Sequence, residues 1–194
     1  MDEKIIKVLK ELEKRKEEEL SAGFPPERRL RSIPSETGQF LNILVKAMKA
    51  KKILEIGTAL GYSTIWLGEA AKKNKGRVFT LECNSESAQL AWENLTKAGL
   101  DKVVKIVLGD ARVTLNEVNE EFDFVFIDAE KKDYIAYFDK VFPKTRPGGL
   151  IVADNIISHA NELIYFKKHI EEFPNVESVT VPIGKGELLI YKVK

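Results

Sequence analysis

From Lys52 to the C-terminus, short apolar runs of β character alternate with stretches of helical period. "KILEIG", "GRVFTLE", "VVKIVLGD", "FDFVFID" and "GLIVAD" read as strands, and "YSTIWLGEAAKKN", "SESAQLAWENLTKAG", "ARVTLNEV" and "KDYIAYFDKVF" separate them as helices. Strands this uniformly apolar are buried on both faces, and a strand–helix–strand alternation with right-handed crossovers gives a parallel sheet between two helical layers. After a further helix, "NELIYFKKHIEEF", two runs follow with no helix between them, "VESVTVPI" and "GELLIYKV". Gly184 and Gly186 make their connection a hairpin, so the last strand runs antiparallel. The expected fold is a Rossmann-like, doubly wound α/β domain with a seven-stranded, mostly parallel sheet and helices on both faces.

A chain of 194 residues, 44% hydrophobic, suits one such domain. Residues 51–194 form its core and residues 1–50 an N-terminal addition. Ile5, Val8, Leu9 and Leu12 mark one face of an amphipathic helix reaching about Leu20. Gly23 and three prolines in "SAGFPPERRLRSIPS" break that helix, and Pro34 is expected in the first turn of the next, "SETGQFLNILVKAMKA". The connector is positioned to act as a lid. Thirty-one basic and 30 acidic residues leave a net charge of +1, which gives no global pull toward nucleic acid or a membrane. The single cysteine, Cys83, rules out an internal disulfide framework, and no apolar stretch reaches the roughly 18 residues of a membrane span. The start is too charged for a signal peptide, and the expected location is cytoplasmic.

Ligands of open α/β sheets bind at the carboxyl ends of the strands. The first strand ends in "ILEIGTALGYS", an E-x-G-x-A-x-G turn formed by Glu55, Gly57, Ala59 and Gly61. A dinucleotide fingerprint carries a second glycine where this chain has Ala59, so a nucleotide-like ligand without pyrophosphate, such as S-adenosylmethionine, fits better than NAD. Glu82 ends the second strand, where a carboxylate can accept from both ribose hydroxyls, and Asp110 and Ala111 follow the third, where an adenine would lie. Taken singly, Gly57 and Gly61 also suit a tight turn, and Glu82 a helix cap.

The fourth and fifth strands end on Asp128 and Asp154, with Asn155 following. Side by side about 4.8 Å apart, two carboxylates repel unless a proton or cation lies between them. An all-oxygen set of Asp128, Asp154 and Asn155 selects a hard ion such as Mg²⁺. Helix capping is the competing reading of each acid alone. Lys131 leaves the tip that holds Asp128 and can reach a bound hydroxyl, whereas Lys132 reads as solvated.

"ILEIGTALGYST", "FVFIDAEKKDY" and "RPGGLIVADN" occur in order, and together with "IPSETGQFL" they make the chain resemble the cation-dependent class I O-methyltransferases, the group of catechol and caffeoyl-CoA O-methyltransferases. The resemblance implies that Glu55 holds the methionine amino group and Ser63 its carboxylate. It further implies that Ile33 touches the methionine end, Glu82 the ribose, and Asp110 and Ala111 the adenine, while Asp128 borders the cofactor. Asp128, Asp154 and Asn155 would bind Mg²⁺ or another hard divalent cation, and Lys131 would be the general base. The implied reaction is methyl transfer to a small catechol-like or vicinal-diol acceptor, by a homodimer. Two segments depart from the family pattern: "IISHANELIYF" lacks the usual Trp-Gly loop, and Lys185 in "PIGKGELL" stands where an acid is frequent. His159, in the altered loop, reads as a surface residue with nothing to orient it. A tRNA hydroxyuridine acceptor and a catalytically silent S-adenosylmethionine-binding protein are the alternatives, with an NAD-dependent dehydrogenase more distant.

Overall fold

A computed structural model describes residues 1–24 and 32–194. It contains helices α1 (Glu3–Ser21), α2 (Ser35–Ala47), α3 (Tyr62–Lys73), α4 (Ser85–Lys97), α5 (Ala111–Glu117), α6 (Tyr134–Val141) and α7 (Ile164–Glu172). Strands β1 (Lys52–Ile56), β2 (Arg77–Glu82), β3 (Val104–Leu108), β4 (Phe122–Ile127), β5 (Thr145–Ala153), β6 (Val176–Val181) and β7 (Glu187–Lys192) form one sheet in the order β3-β2-β1-β4-β5-β7-β6. Strands β1 to β5 are mutually parallel, and β7 runs antiparallel to both of its neighbours. The order in which strands are added reverses between β1 and β4, where a ligand crevice opens in folds of this kind. The expected hairpin is present, and β7 inserts between β5 and β6 rather than extending the edge.

Strand β4 explains why so apolar a run was needed. Phe124 and Phe126 point into a core shared with Ile5, Val8, Leu41, Val45 and Ile65 from the first helices. Val125 and Ile127 point the other way, among Tyr134, Phe138, Phe166 and Ile170. Alternation of side chains along a strand sends neighbours to opposite faces, and both faces are covered here. Phe122 joins the second core because the β4–β5 register shifts between Phe122 and Phe124. Asp123, beside that irregularity, is held by the Lys51 and Lys52 amides at 2.6 and 2.8 Å and by Arg146.

Helix α1 starts on Asp2, whose side chain accepts from the Lys4 amide, and buries Ile5, Val8, Leu9 and Leu12 as its spacing predicted. Pro34 is the N-cap of α2 in extended conformation, one position before the expected first turn. The lid reading of the connector falls largely on residues 25–31, outside the described residues.

Candidate active site

A cleft of about 760 Å³ opens at the carboxyl ends of β1, β2, β3 and β4. Ile33, Gly57, Ser63, Glu82, Asp110, Ala111, Asp128 and Lys131 all line it. Arg15 and Glu19 of α1 also reach it. Their contribution had no signal beyond the polar face of an amphipathic helix.

The turn after β1 is built by backbone geometry. Gly57 has φ +100°, and a side chain there would collide with the Asp128 carbonyl of the neighbouring strand. Its glycine therefore brings β1 close to the tip of β4, a role distinct from simple turning. Gly61 caps α3 at φ +84°, and Ala59 is also left-handed, at φ +47°. Glu82 clasps this turn: it accepts the Ala59 amide at 2.8 Å and the Asn84 amide at 2.9 Å. Asn84, not Glu82, caps α4 through the Ser87 amide at 2.8 Å. Each Glu82 oxygen retains a lone pair for hydroxyls of a ligand.

Glu55 lies beneath the turn and is fully buried. Its Oε2 accepts the Thr64 and Thr80 hydroxyls at 2.5 and 2.6 Å, and Thr80 in turn meets Thr58 at 2.6 Å. Oε1 has no hydrogen-bond partner among the described residues. Burial pushes the carboxyl up to about 7, against hydrogen bonds from Ser63, Thr64 and Thr80, while Asp128 raises it further. A buried carboxylate with one idle oxygen suits a cationic group such as an ammonium. The threonine cradle was not foreseen, because the three hydroxyls come from separate segments.

Asp110 caps α5 through the Arg112 amide and also binds the Arg112 guanidinium, the nearest approach being 2.6 Å. Those hydrogen bonds hold its carboxyl below the usual range. Ala111, buried beside it, keeps its place on the cleft wall.

At the tip of β4, Lys131 Nζ lies 3.0 Å from Asp128 Oδ1 and 3.0 Å from the Ala129 carbonyl, over the Tyr134 ring. Lys132 is exposed, as expected. Ile127 pairs with Ala153 in the β4–β5 register, which brings the next residues, Asp128 and Asp154, abreast. Asp128 is half-buried and faces the cleft, whereas Asp154 and Asn155 are enclosed behind it. Asp154 Oδ1 accepts the Asn155 amide at 2.6 Å, and Oδ2 has no partner among the described residues. Burial, then repulsion from Asp128, raises the Asp154 carboxyl. Asn155 adopts φ +72°, a left-handed conformation that asparagine tolerates, and its Nδ2 reaches Ser158 Oγ at 3.3 Å. Ser158 Oγ is 2.9 Å from His159 Nδ1, so His159 does have a neighbour to orient it. The donor set of two carboxylates and an amide, with an idle buried oxygen on Asp154, fits a hard divalent cation.

One acid went unnoticed in the sequence. Glu187 begins β7 opposite the end of β5, one step beyond the Ala153–Leu188 pair, and is fully buried with both oxygens unpartnered. Burial, then Asp154, pushes its carboxyl up.

A family profile described as O-methyltransferase matches residues 6–193. A catechol O-methyltransferase of Niastella koreensis is 45% identical over 130 residues, 65% of this chain and 58% of that protein. One from Mycobacterium tuberculosis is 42% identical over 65% of this chain and 57% of its own length. The matches thus span less than two thirds of either relative. Among solved structures, the O-methyltransferase of Bacillus cereus in complex with SAH superposes with TM-score 0.80 at 32% identity, over 100% of this chain and 92% of that one. TomG of Streptomyces achromogenes, in complex with SAM, gives TM-score 0.82 at 26% identity, over 100% and 91%.

Proposed function

The chain belongs to the O-methyltransferase family, and from that premise we propose that it transfers a methyl group from S-adenosylmethionine to a hydroxyl of a small catechol-like or vicinal-diol acceptor. Mg²⁺ or another hard divalent cation assists. The observation that carries this reading is the Asp128–Lys131 pair at the cleft floor, 3.0 Å apart, abreast of a second strand-end acid with an idle oxygen. The names of the two bacterial relatives favour a catechol-type acceptor, and the SAH and SAM complexes of structural relatives favour the cofactor.

In this reading Glu55 takes the amino group of the cofactor's methionine end, Ser63 its carboxylate and Glu82 the ribose, with Ile33 and Ala111 giving apolar contact. Asp110 adds polar contact beside the adenine. Asp128, Asp154 and Asn155 would hold the cation, which when bound would lower the pKa of an adjacent hydroxyl. Lys131, as the neutral amine, takes the proton from the acceptor hydroxyl and becomes the ammonium that Asp128 balances. Asp128 Oδ1 and the Ala129 carbonyl fix the amine from two sides, so it meets the acceptor in one orientation. Positioning of this kind supplies effective molarities of roughly 10⁵ to 10⁸ M.

The test is an assay with methyl-labelled S-adenosylmethionine against a panel of catechols and bulk tRNA, with Mg²⁺ and with EDTA. Label in a catechol product, lost with EDTA and restored by Mg²⁺, is expected. Label in tRNA alone would replace the acceptor class, and transfer indifferent to chelator would remove the metal from the mechanism.

A further inference from the structure

Asp154 and Glu187 enter one dry space from opposite strands. Asp154 directly follows β5, Glu187 begins β7, and both are 0% exposed. The antiparallel register that pairs Ala153 with Leu188 sets the two acids directly opposite each other. Ionised carboxylates only accept, however, so Asp154 Oδ2 and both oxygens of Glu187 stay without a donor. Thr37, from the first turn of α2, adjoins Glu187 and is also 0% exposed, and its Oγ1 makes no hydrogen bond among the described residues. Four idle oxygens, on side chains from three segments, therefore gather at the start of β7. Two buried carboxylates in contact need a positive charge or a shared proton. Lys185 offsets part of the charge on Asp154, yet it is exposed and forms no ion pair among the described residues.

Asp128 stands differently. Its Oδ1 is taken by Lys131, and as they stand no three described His, Cys, Asp or Glu side chains converge on one point. Asp154 and Glu187 are the pair set directly opposite each other. We propose that Glu187 is a ligand of the divalent cation, clamping it together with Asp154, with the Thr37 hydroxyl at the same point. This rests on the metal-assisted reading above and adds a third carboxylate to its Asp128, Asp154 and Asn155 set. The packing agrees with a fixed clamp. The Ile156 amide donates to the Gly186 carbonyl at 2.9 Å, and the Ile157 and Ser158 amides donate to Lys185 at 3.2 and 3.0 Å. The loop after Asn155 is thereby tied to the residues just before Glu187. A charge-rich, all-oxygen cage binds Mg²⁺, Mn²⁺ or Ca²⁺.

The experiment is Mn²⁺ binding to EDTA-stripped protein, followed by calorimetry and by the Mn²⁺ electron paramagnetic resonance signal, for the wild type, Glu187→Gln, Thr37→Val and Asp154→Asn. One Mn²⁺ per wild-type chain is expected, with affinity at least tenfold weaker in Glu187→Gln and weakened to a lesser degree in Thr37→Val. An affinity within twofold of wild type in Glu187→Gln, while Asp154→Asn loses the ion, would mean that the two acids share a proton, and the proposal falls. It falls equally if the wild type binds no Mn²⁺. Should the variants not fold, anomalous diffraction from wild-type crystals soaked in Mn²⁺ decides: a Glu187 oxygen at roughly 2.1 to 2.3 Å from the ion supports the assignment, and one beyond van der Waals contact overturns it. Mn²⁺ bound through Glu187 in a protein whose methyl transfer ignores EDTA would remove the mechanism above and leave this site standing.

Discussion

Lys131 Nζ sits 3.0 Å from Asp128 Oδ1, the two residues bracketing the bend where β4 ends and the first helical turn toward α6 begins. Both are largely shielded from water, with side-chain exposures of 15% and 25%. Lys131→Met should lower kcat by about 10²- to 10⁴-fold, the usual yield of a positioned base, with the KM for S-adenosylmethionine little changed. Lys131→Arg keeps a cation beside Asp128, yet a guanidinium does not give up its proton. It should stay as inactive as the methionine variant, and steady-state kinetics on the two variants would show whether charge alone suffices.

Glu55 makes the stability of the ligand-free protein depend on pH. Its folded carboxyl is raised from 4.5 to about 7, chiefly by burial. A raised acid binds more protons folded than unfolded, so its contribution is full below pH 4.5 and is lost as pH climbs toward 7. The loss amounts to about 3 kcal/mol. Urea unfolding of the wild type and Glu55→Gln at pH 4.5, 6 and 8 should show the wild type falling relative to the variant across that window. Equal slopes would mean that folding leaves the Glu55 carboxyl at its ordinary value.

Gly57→Ala should destabilise the fold by roughly 1 to 3 kcal/mol, since φ +100° strains any residue with a Cβ and the Asp128 carbonyl occupies the space. Because the obstruction is the backbone of Asp128 itself, relief displaces the tip that carries Asp128 and Lys131. Activity should drop further than the thermal midpoint alone accounts for, measured at a temperature where the variant remains folded.

Phe126→Ala would open a cavity in the core beneath α1 to α3 and cost about 3 to 5 kcal/mol. Thermal denaturation measures it. A loss under about 1 kcal/mol would show that this face of β4 repacks.

The sheet and the two helical layers were legible from the sequence because buried parallel strands must be apolar on both faces and helices must be amphipathic. Those periodicities survive without knowing any contact. The strand-end residues Glu82, Asp110, Asp128 and Asp154 could be named because chain order puts them at one edge of such a sheet. Their partners were hidden. Glu82 was open to reading as a cap of α4, yet it clasps Ala59 across the turn, and Asn84 does the capping. The hydroxyls around Glu55 come from residues 64 and 80, and the arm of α1 that brings Arg15 to the cleft lies far from it in the chain. Glu187 carries no signal of its own in the run "GELLIYKV".

The sequence by itself determined the element order, the parallel core and the acids at its carboxyl edge, since each follows from local period and position. Only the tertiary structure decided that β7 would slide between β5 and β6 and set Glu187 opposite Asp154. That pairing depends on antiparallel register between segments more than 30 residues apart, and no local pattern encodes it.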